Sequence, residues 1–418
     1  MPPMKKNLLH IGLFGLVLAG GVGLSSGLAA APVETGVVVS VTLAAALERA
    51  WSAAPEQALA TGREAQAQAL QRHADALLPQ APNLALSGQA GSYAQGEPSG
   101  TYSEWIAGVE LPLWRSGQAD VLRRLAAGTQ DLAEAERATL RLELAGMLRE
   151  AGWDVLQAKA RVQGLQQALD ELRVAEKKMQ RAVALGERAR VDALVLAAEV
   201  ADVAQQVAVA QQALQQAVLV WRALSRQEAL PGAWREALAG ERPIELHPAA
   251  QAARAAWLRA GGERQAGVLA AEGAPMLGLG ARQDRTPGAE TLNAVVVTLS
   301  MPLPWEAARG AAEAPLRYAE LEAETAWAKQ LRALATARDA ARLALDGART
   351  QLGLTEARMA LELESLRLAK RQVEEGQMDA LDFLTVLRRA REAVLAAELA
   401  KLELERAVSR VNQAEGVV

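Results

Sequence analysis

From Tyr102 to Leu113 apolar and polar side chains alternate. Trp105, Ala107, Val109, Leu111 and Leu113 fall on one face of an extended chain, and Tyr102, Glu104, Gly108 and Glu110 on the other. A period of two is that of a β-strand, although Ile106 interrupts the polar face. Residues 83–93 lose the helical period in the same way. The cluster Gly96-Glu97-Pro98-Ser99-Gly100 between the two runs reads as a loop, so the pair predicts a hairpin. A second hairpin is predicted over 276–284 and 291–301 around Thr286-Pro287-Gly288-Ala289, with Val295-Val296-Val297-Thr298-Leu299 its most strand-like part. Strands of about 10 residues are long enough to cross a bilayer when tilted.

The rest of the pattern is helical. No proline lies between Pro112 and Pro231, and none follows Pro315, so two long tracts are free of the residue that most disrupts helix interiors. As a single rod the first tract would run roughly 175 Å at about 1.5 Å per residue, so it must fold back. The expected reversals are Leu185-Gly186-Glu187-Arg188-Ala189-Arg190-Val191-Asp192 and Glu375-Gly376-Gln377-Met378-Asp379-Ala380-Leu381-Asp382. Each has a glycine suited to a helix C-terminus, followed by an aspartate suited to an N-cap.

These pieces occur twice in one order. Gly186, Asp192 and Leu194 recur as Gly376, Asp382 and Leu384, and Leu111-Pro112-Leu113 as Met301-Pro302-Leu303, all displaced by 190; Pro55 and Pro82 recur as Pro248 and Pro275, displaced by 193. Sparse landmarks in a constant order indicate a tandem duplication. The first repeat covers 30–230, a connector 231–247 and the second repeat 248–418; each half reads helix, strand, loop, strand, helix, turn, helix.

Composition narrows the picture. Lys5 and Lys6 precede an apolar run from Leu8 to about Val22 and then small residues, the pattern of a secretory signal peptide over 1–29. A retained anchor is the alternative, against which stands an apolar core shorter than the roughly 20 residues of a spanning helix. No later stretch of 18 apolar residues is visible, so any membrane crossing is expected to use strands. The chain has no cysteine, which excludes disulfides, thiolate metal sites and a lipid-attachment cysteine. Its net charge of -4 gives no basic surface for nucleic acid. Aromatic residues make up only 3%, and those around the strands stand out, so the helices are expected to pack through alanine in an elongated shape. His73 and His247 have no ligand-spaced partners, the methionines are scattered, and no triad, carboxylate pair or phosphate loop is visible. Neither a metal site, a cofactor nor an enzyme is indicated.

Four strands cannot close a membrane barrel, since the smallest use about eight and open edges are not tolerated in lipid. Several copies must pool their strands; three would supply twelve. Thr42-Leu43-Ala44-Ala45-Ala46-Leu47-Glu48-Arg49-Ala50 followed by Ala54-Pro55-Glu56 resembles the opening signature of the TolC family of outer-membrane efflux proteins. Glu110-Leu111-Pro112-Leu113-Trp114 and Leu299-Ser300-Met301-Pro302-Leu303-Pro304 are similar to that family's strand exits, and the glycine turns to its hairpin tips. The resemblance implies a mainly α fold with a small β part: a homotrimeric outer-membrane β-barrel, four strands per chain, continued by a long periplasmic α-helical barrel. It also implies a periplasmic adaptor (membrane fusion) protein and an inner-membrane pump, of the RND type, as partners, together with outer-membrane lipid. Arg309-Gly310 after Pro304-Trp305 is reminiscent of the metal-exporting, CzcC-like branch. A type I protein-secretion duct and a soluble periplasmic coiled-coil scaffold are the competing readings.

The resemblance assigns adaptor docking to Leu185, Gly186, Glu187, Gly376 and Gln377, beside the plain reading of a glycine C-cap. Asp382, and Asp192 in the first repeat, match a periplasmic aperture where symmetry would gather carboxylates; an N-cap or a solvated charge is the alternative. Met378 and Val373 stand where that family can place a latching arginine and tyrosine, so the usual latch is not expected. Tyr93, Tyr102 and Trp105 are the expected membrane-interface aromatics. Trp114 and Trp305 suit either that interface or packing where strands meet helices.

Overall fold

The computed structural model describes residues 41–93, 100–232, 234–303, 305–375 and 377–418, all within one folded unit, Val39–Val418. The expected leader, Gly376 and Pro304 lie outside the described residues. In chain order the elements are α1 (Leu43–Ser52), α2 (Glu56–Ala74), β1 (Asn83–Tyr93), β2 (Gly100–Pro112), α3 (Gln118–Ala184), α4 (Arg190–Ser225), α5 (Pro248–Ala271), β3 (Met276–Arg285), β4 (Leu292–Ser300), α6 (Glu306–Glu374) and α7 (Ala380–Ala414).

The helical tracts fold back where the sequence predicts. At 67 and 69 residues, α3 and α6 are each about 100 Å long. After α3, Gly186 adopts φ 76° and donates its N–H to Val183 O at 3.0 Å, while Glu187 N–H reaches Ala182 O at 2.9 Å. This pair of bonds is the Schellman turn, and the positive φ explains the glycine. The outer bond recurs 190 residues later, from Gln377 N–H to Gln372 O at 2.7 Å.

Several expectations are corrected. Neither Asp192 nor Asp382 caps its helix: the caps are Ala189 and Asp379, and the two aspartates sit at the third helical position. A carboxylate there still faces free N–H groups and the positive helix end. Pro315 does not precede the second tract but lies inside α6, on an exposed turn where water can serve the carbonyl it leaves unpaired. α4 is long and apolar enough to cross a membrane by length and composition alone. Its Leu196, Val203 and Val207 are nevertheless buried in a cluster with Leu169 and Leu172 of α3.

The repeats are not copies at every element. Two α-helices, α1 and α2, precede the first hairpin, separated at Pro55, whereas a single 3-10 turn, Ile244–Leu246, and α5 precede the second, with Pro248 as the first residue of α5. The segment 193 residues on from α1 belongs to the connector, and it supplies core in a different way. Trp234 of the connector meets Trp221 edge-on at 5.3 Å and donates Nε1–H to Val41 O at 2.8 Å. Together with Trp153 these rings form a buried cluster against Ala46, Ala50, Ala145, Leu148 and Ala151. Alanine packing is therefore present, but the expected scarcity of aromatics away from the strands does not hold; six of the nine tryptophans lie elsewhere, counting the stacked pair Trp257 and Trp327, 5.2 Å apart.

α3 is the hub. It packs against α1, α2, α4, α5 and α7, whereas α6 packs mainly against α5 and α7. Ion pairs line the meeting of α3 with α7: Glu150 with Arg406 and Arg410, Asp154 with Arg406, and Glu171 with Arg391.

Candidate functional site: the strand sheet and the two turns

All four strands form one antiparallel sheet in the order β1-β2-β3-β4, which leaves β1 and β4 as edges. The register sets the faces. Leu84, Val109, Leu279 and Val297 form one cross-strand row; Leu86, Ala107, Ala281 and Val295 the next; Leu111, Leu277 and Leu299 a third. These rows share a face and are largely exposed, with Leu84 at 72% and Val295 at 83%. An exposed apolar band built by alternation is what lipid contact demands and what water penalises.

The opposite face differs in chemistry. Glu104, Arg282 and Asp284 meet there: the Arg282 guanidinium lies 3.2 Å from Glu104 and 2.8 Å from Asp284. Toward the helices the same face narrows to Gly108, Gly278 and Gly280. A Cβ on Gly108 would stand 2.8 Å from Leu279 O, so β2 and β3 approach there more closely than side chains allow.

The sequence-predicted aromatics separate. Trp105, 63% exposed, lies on the apolar face across Gly88. Tyr102 lies on the other face, over Gly91, where its hydroxyl accepts a 3.1 Å hydrogen bond from Gln89 Nε2. The backbone of Tyr93 ends β1, opposite Gly100; its side chain lies outside the described residues. Of the two junction tryptophans, Trp114 is fixed by donating to Ala76 O at 3.0 Å and by tilting against His73, while Trp305 is 73% exposed.

Arg115 was not visible as a site residue. Its guanidinium donates to Gly273 O at 2.5 Å, Glu272 O at 2.6 Å and Pro302 O at 3.3 Å, and pairs with the Glu272 carboxylate at 3.1 Å. One side chain thus ties the exit of β2 to the end of α5 and the exit of β4. The repeat gave no hint of it, since the position 190 residues on is Trp305.

Arg149 is the second residue the sequence reading missed. Only 3% of its side chain is exposed, and it pairs with Glu236 through Nε at 3.0 Å and Nη2 at 2.9 Å, while Nη1 donates to Gln413 Oε1 and Val417 O. Burial raises the Glu236 pKa, but the hydrogen bonds from Arg149 and Asn412 outweigh it and hold the carboxyl below its ordinary range. The connector and the chain's C-terminal end are both fastened to α3 here.

At the turns, Leu185, Glu187 and Gln377 are exposed, as is Asp382; Asp192 is half-buried. The Asp382 N–H is the donor to the Asp379 carboxylate, at 2.8 Å. Beyond the second turn, a groove of about 540 Å³ opens between α3, α6 and α7, lined by Gln167, Glu171, Leu363, Lys370, Leu387 and Arg391. Among the described residues no group of three or more His, Cys, Asp or Glu is placed to hold a metal ion.

No family model matches the sequence, and no curated protein is similar to it. Solved structures are. A membrane protein from Pseudomonas aeruginosa superposes with a TM-score of 0.71 at 18% identity, over 91% of each chain. The CmeC outer membrane channel of Campylobacter jejuni gives 0.68 at 14%, over 90% of this chain and 85% of its own. The outer membrane protein VceC of Vibrio cholerae gives 0.66 at 16%, over 90% and 96%. At such identities the likeness concerns the fold, and over nine-tenths of its length this chain has the fold of these membrane proteins, two of them from the outer membrane.

Proposed function

We propose that this chain is the outer-membrane exit channel of a tripartite efflux system and a member of the TolC family. Three copies pool their strands into a barrel of twelve and set their helical hairpins in the periplasm as a second, helical barrel. The observation that carries the reading is the sheet: an exposed apolar face, an opposite face bearing Glu104, Arg282 and Asp284, and two open edges. Lipid accepts the first, water in a lumen the second, and only further strands the third. The sheet also weighs against a soluble scaffold, which required the strand segments to be loops.

The channel would conduct passively, driven by an inner-membrane pump of the RND type through a periplasmic adaptor that docks on the turns at Leu185, Gly186, Glu187, Gly376 and Gln377. Asp382 and Asp192, on the first turns of α7 and α4, are the aperture carboxylates. Trp105 meets lipid; Tyr102, on the charged face, belongs to the lumen in this arrangement. The cargo we propose is heavy-metal cations, on the Arg309-Gly310 resemblance alone.

The decisive experiment fractionates cells and measures mass in mild detergent. Trimers in the outer membrane are expected; a monomer in the soluble periplasm would sink the reading. Comparing a deletion strain for metal tolerance and for secreted proteins separates efflux from a type I secretion duct.

A further inference from the structure

α6 and α4 each carry a stripe of exposed residues that nothing in the described chain covers. On α6 the stripe is Leu343, Leu354, Leu361 and Leu368, with Leu361 73% exposed. On α4 it is Leu194, Ala201, Ala208 and Leu219, all exposed. Counted back from Gly376, the four α6 leucines lie at 33, 22, 15 and 8 residues; counted forward from Gly186, the four α4 residues lie at 8, 15, 22 and 33. The helices run in opposite directions from their turns, so the two stripes share the same four levels. Two of the levels set leucine against alanine, the size match that lets helices approach closely.

We propose that these stripes form the seam between neighbouring copies, α6 of one chain seated on α4 of the next, level for level. The inference rests on the assembly proposed above and specifies which helices meet and in what register. A second copy is the occupant because the sheet dictates it. β4 is an open edge and leads directly into α6, while the edge that must meet it in lipid is β1 of the next copy, which begins that copy's first repeat. Of that repeat's long helices, α3 is already covered by α2, α4, α5 and α7, whereas α4 packs mainly on α3 and keeps an exposed face.

The absence of cysteine makes the test clean. In the full chain, purified in mild detergent, the double variant Ala201→Cys with Leu361→Cys is oxidised and run on a non-reducing gel. Covalent ladders of two and three copies, reversed by reductant, are expected. Either single variant should stay at monomer mass, as should Ala208→Cys with Leu368→Cys, whose levels differ by 14 residues or about 21 Å. As a second readout, Leu361→Arg should shorten the lifetime of the assembly at least about tenfold, with unchanged helical circular dichroism. Intact trimers with no ladder from the in-register pair, or a ladder from the offset pair instead, would overturn the seam. A chain that never forms trimers by light scattering refutes the proposed function rather than this register.

Discussion

α3 and α6 occupy equivalent places in a duplicated chain and end at equivalent turns, yet they live in opposite environments. Trp153 of α3 is 1% exposed, while Leu343, 190 residues on, is 75% exposed. Leu148 and Leu172 are wholly buried; their counterparts are Arg338 and Glu362. Arg149 anchors the connector from within, and its counterpart Asp339 has a 73% exposed side chain. Between α3 and α6 duplication kept the helix and nearly its length, 67 and 69 residues, but not what covers it. The difference teaches that α3 serves as the core of the chain while α6 keeps an exposed face, the one the proposed seam would use.

The largest expected effects lie on the α3 side. Trp153→Ala removes a buried indole that donates to Ser409 Oγ at 3.0 Å, and should cost about 3–5 kcal/mol of unfolding free energy. Arg149→Ala strands the Glu236 carboxylate and should cost about as much. Leu343→Ala and Asp339→Ala should stay within about 0.5 kcal/mol for the isolated protomer. Chemical unfolding of the four variants checks this; equal losses on the two helices would break the contrast.

Acid should separate the two sides further. Glu236 and Glu150 both hold folded pKa values below the ordinary 4.5; for Glu150, burial pushes upward and the hydrogen bonds of Arg410 and Arg406 prevail. A carboxyl depressed in this way stabilises the fold above its unfolded pKa, and that stability is lost as pH falls through the folded value. Unfolding free energy should therefore drop below about pH 4.5, and Glu236→Gln with Glu150→Gln should flatten the curve at the expense of stability at neutral pH. A wild-type curve unchanged by the two substitutions would place the acid-sensitive groups elsewhere.

How much of this was legible in the sequence follows the same division. Strands and turns were readable because they depend on local rules: alternation placed Trp105 and Val109 on one face, and glycine placed the reversal at Gly186. The neighbours of α3 were not. Arg149 looks like any surface arginine on a polar helix, and only the fold brings Glu236 and Gln413 to it from 87 and 264 residues away. Likewise Trp153, Trp221 and Trp234 are separated along the chain and gathered into one core only in space. Tyr102 was placed on the polar side by alternation, but the general affinity of aromatics for membrane interfaces suggested lipid; the alignment of all four strands puts it on the face with Glu104 and Arg282, opposite the exposed apolar rows.

The smallest contrast lies at the helix starts after the two turns, where the repeats can be exchanged. Asp379 has φ -77° and ψ 168° and its carboxylate accepts from the Asp382 N–H, whereas Ala189 has nearly the same backbone, φ -73° and ψ 144°, and no side chain to offer. Asp379→Ala should therefore cost about 1 kcal/mol, and Ala189→Asp should return a similar amount to α4, since its geometry already suits a cap. Asp192 and Asp382 hold the same third helical position, so any repulsion from the added carboxylate is present in the second repeat as well. Hydrogen exchange at the first turns of α4 and α7 reads the two effects locally. Slower exchange at the first turn of α4 in Ala189→Asp, matching that of α7 in the parent, would mean that the turns differ by one side chain; no change would mean that α4 is held by its packing on α3, and that even at the tip the first hairpin is governed by its covered helix.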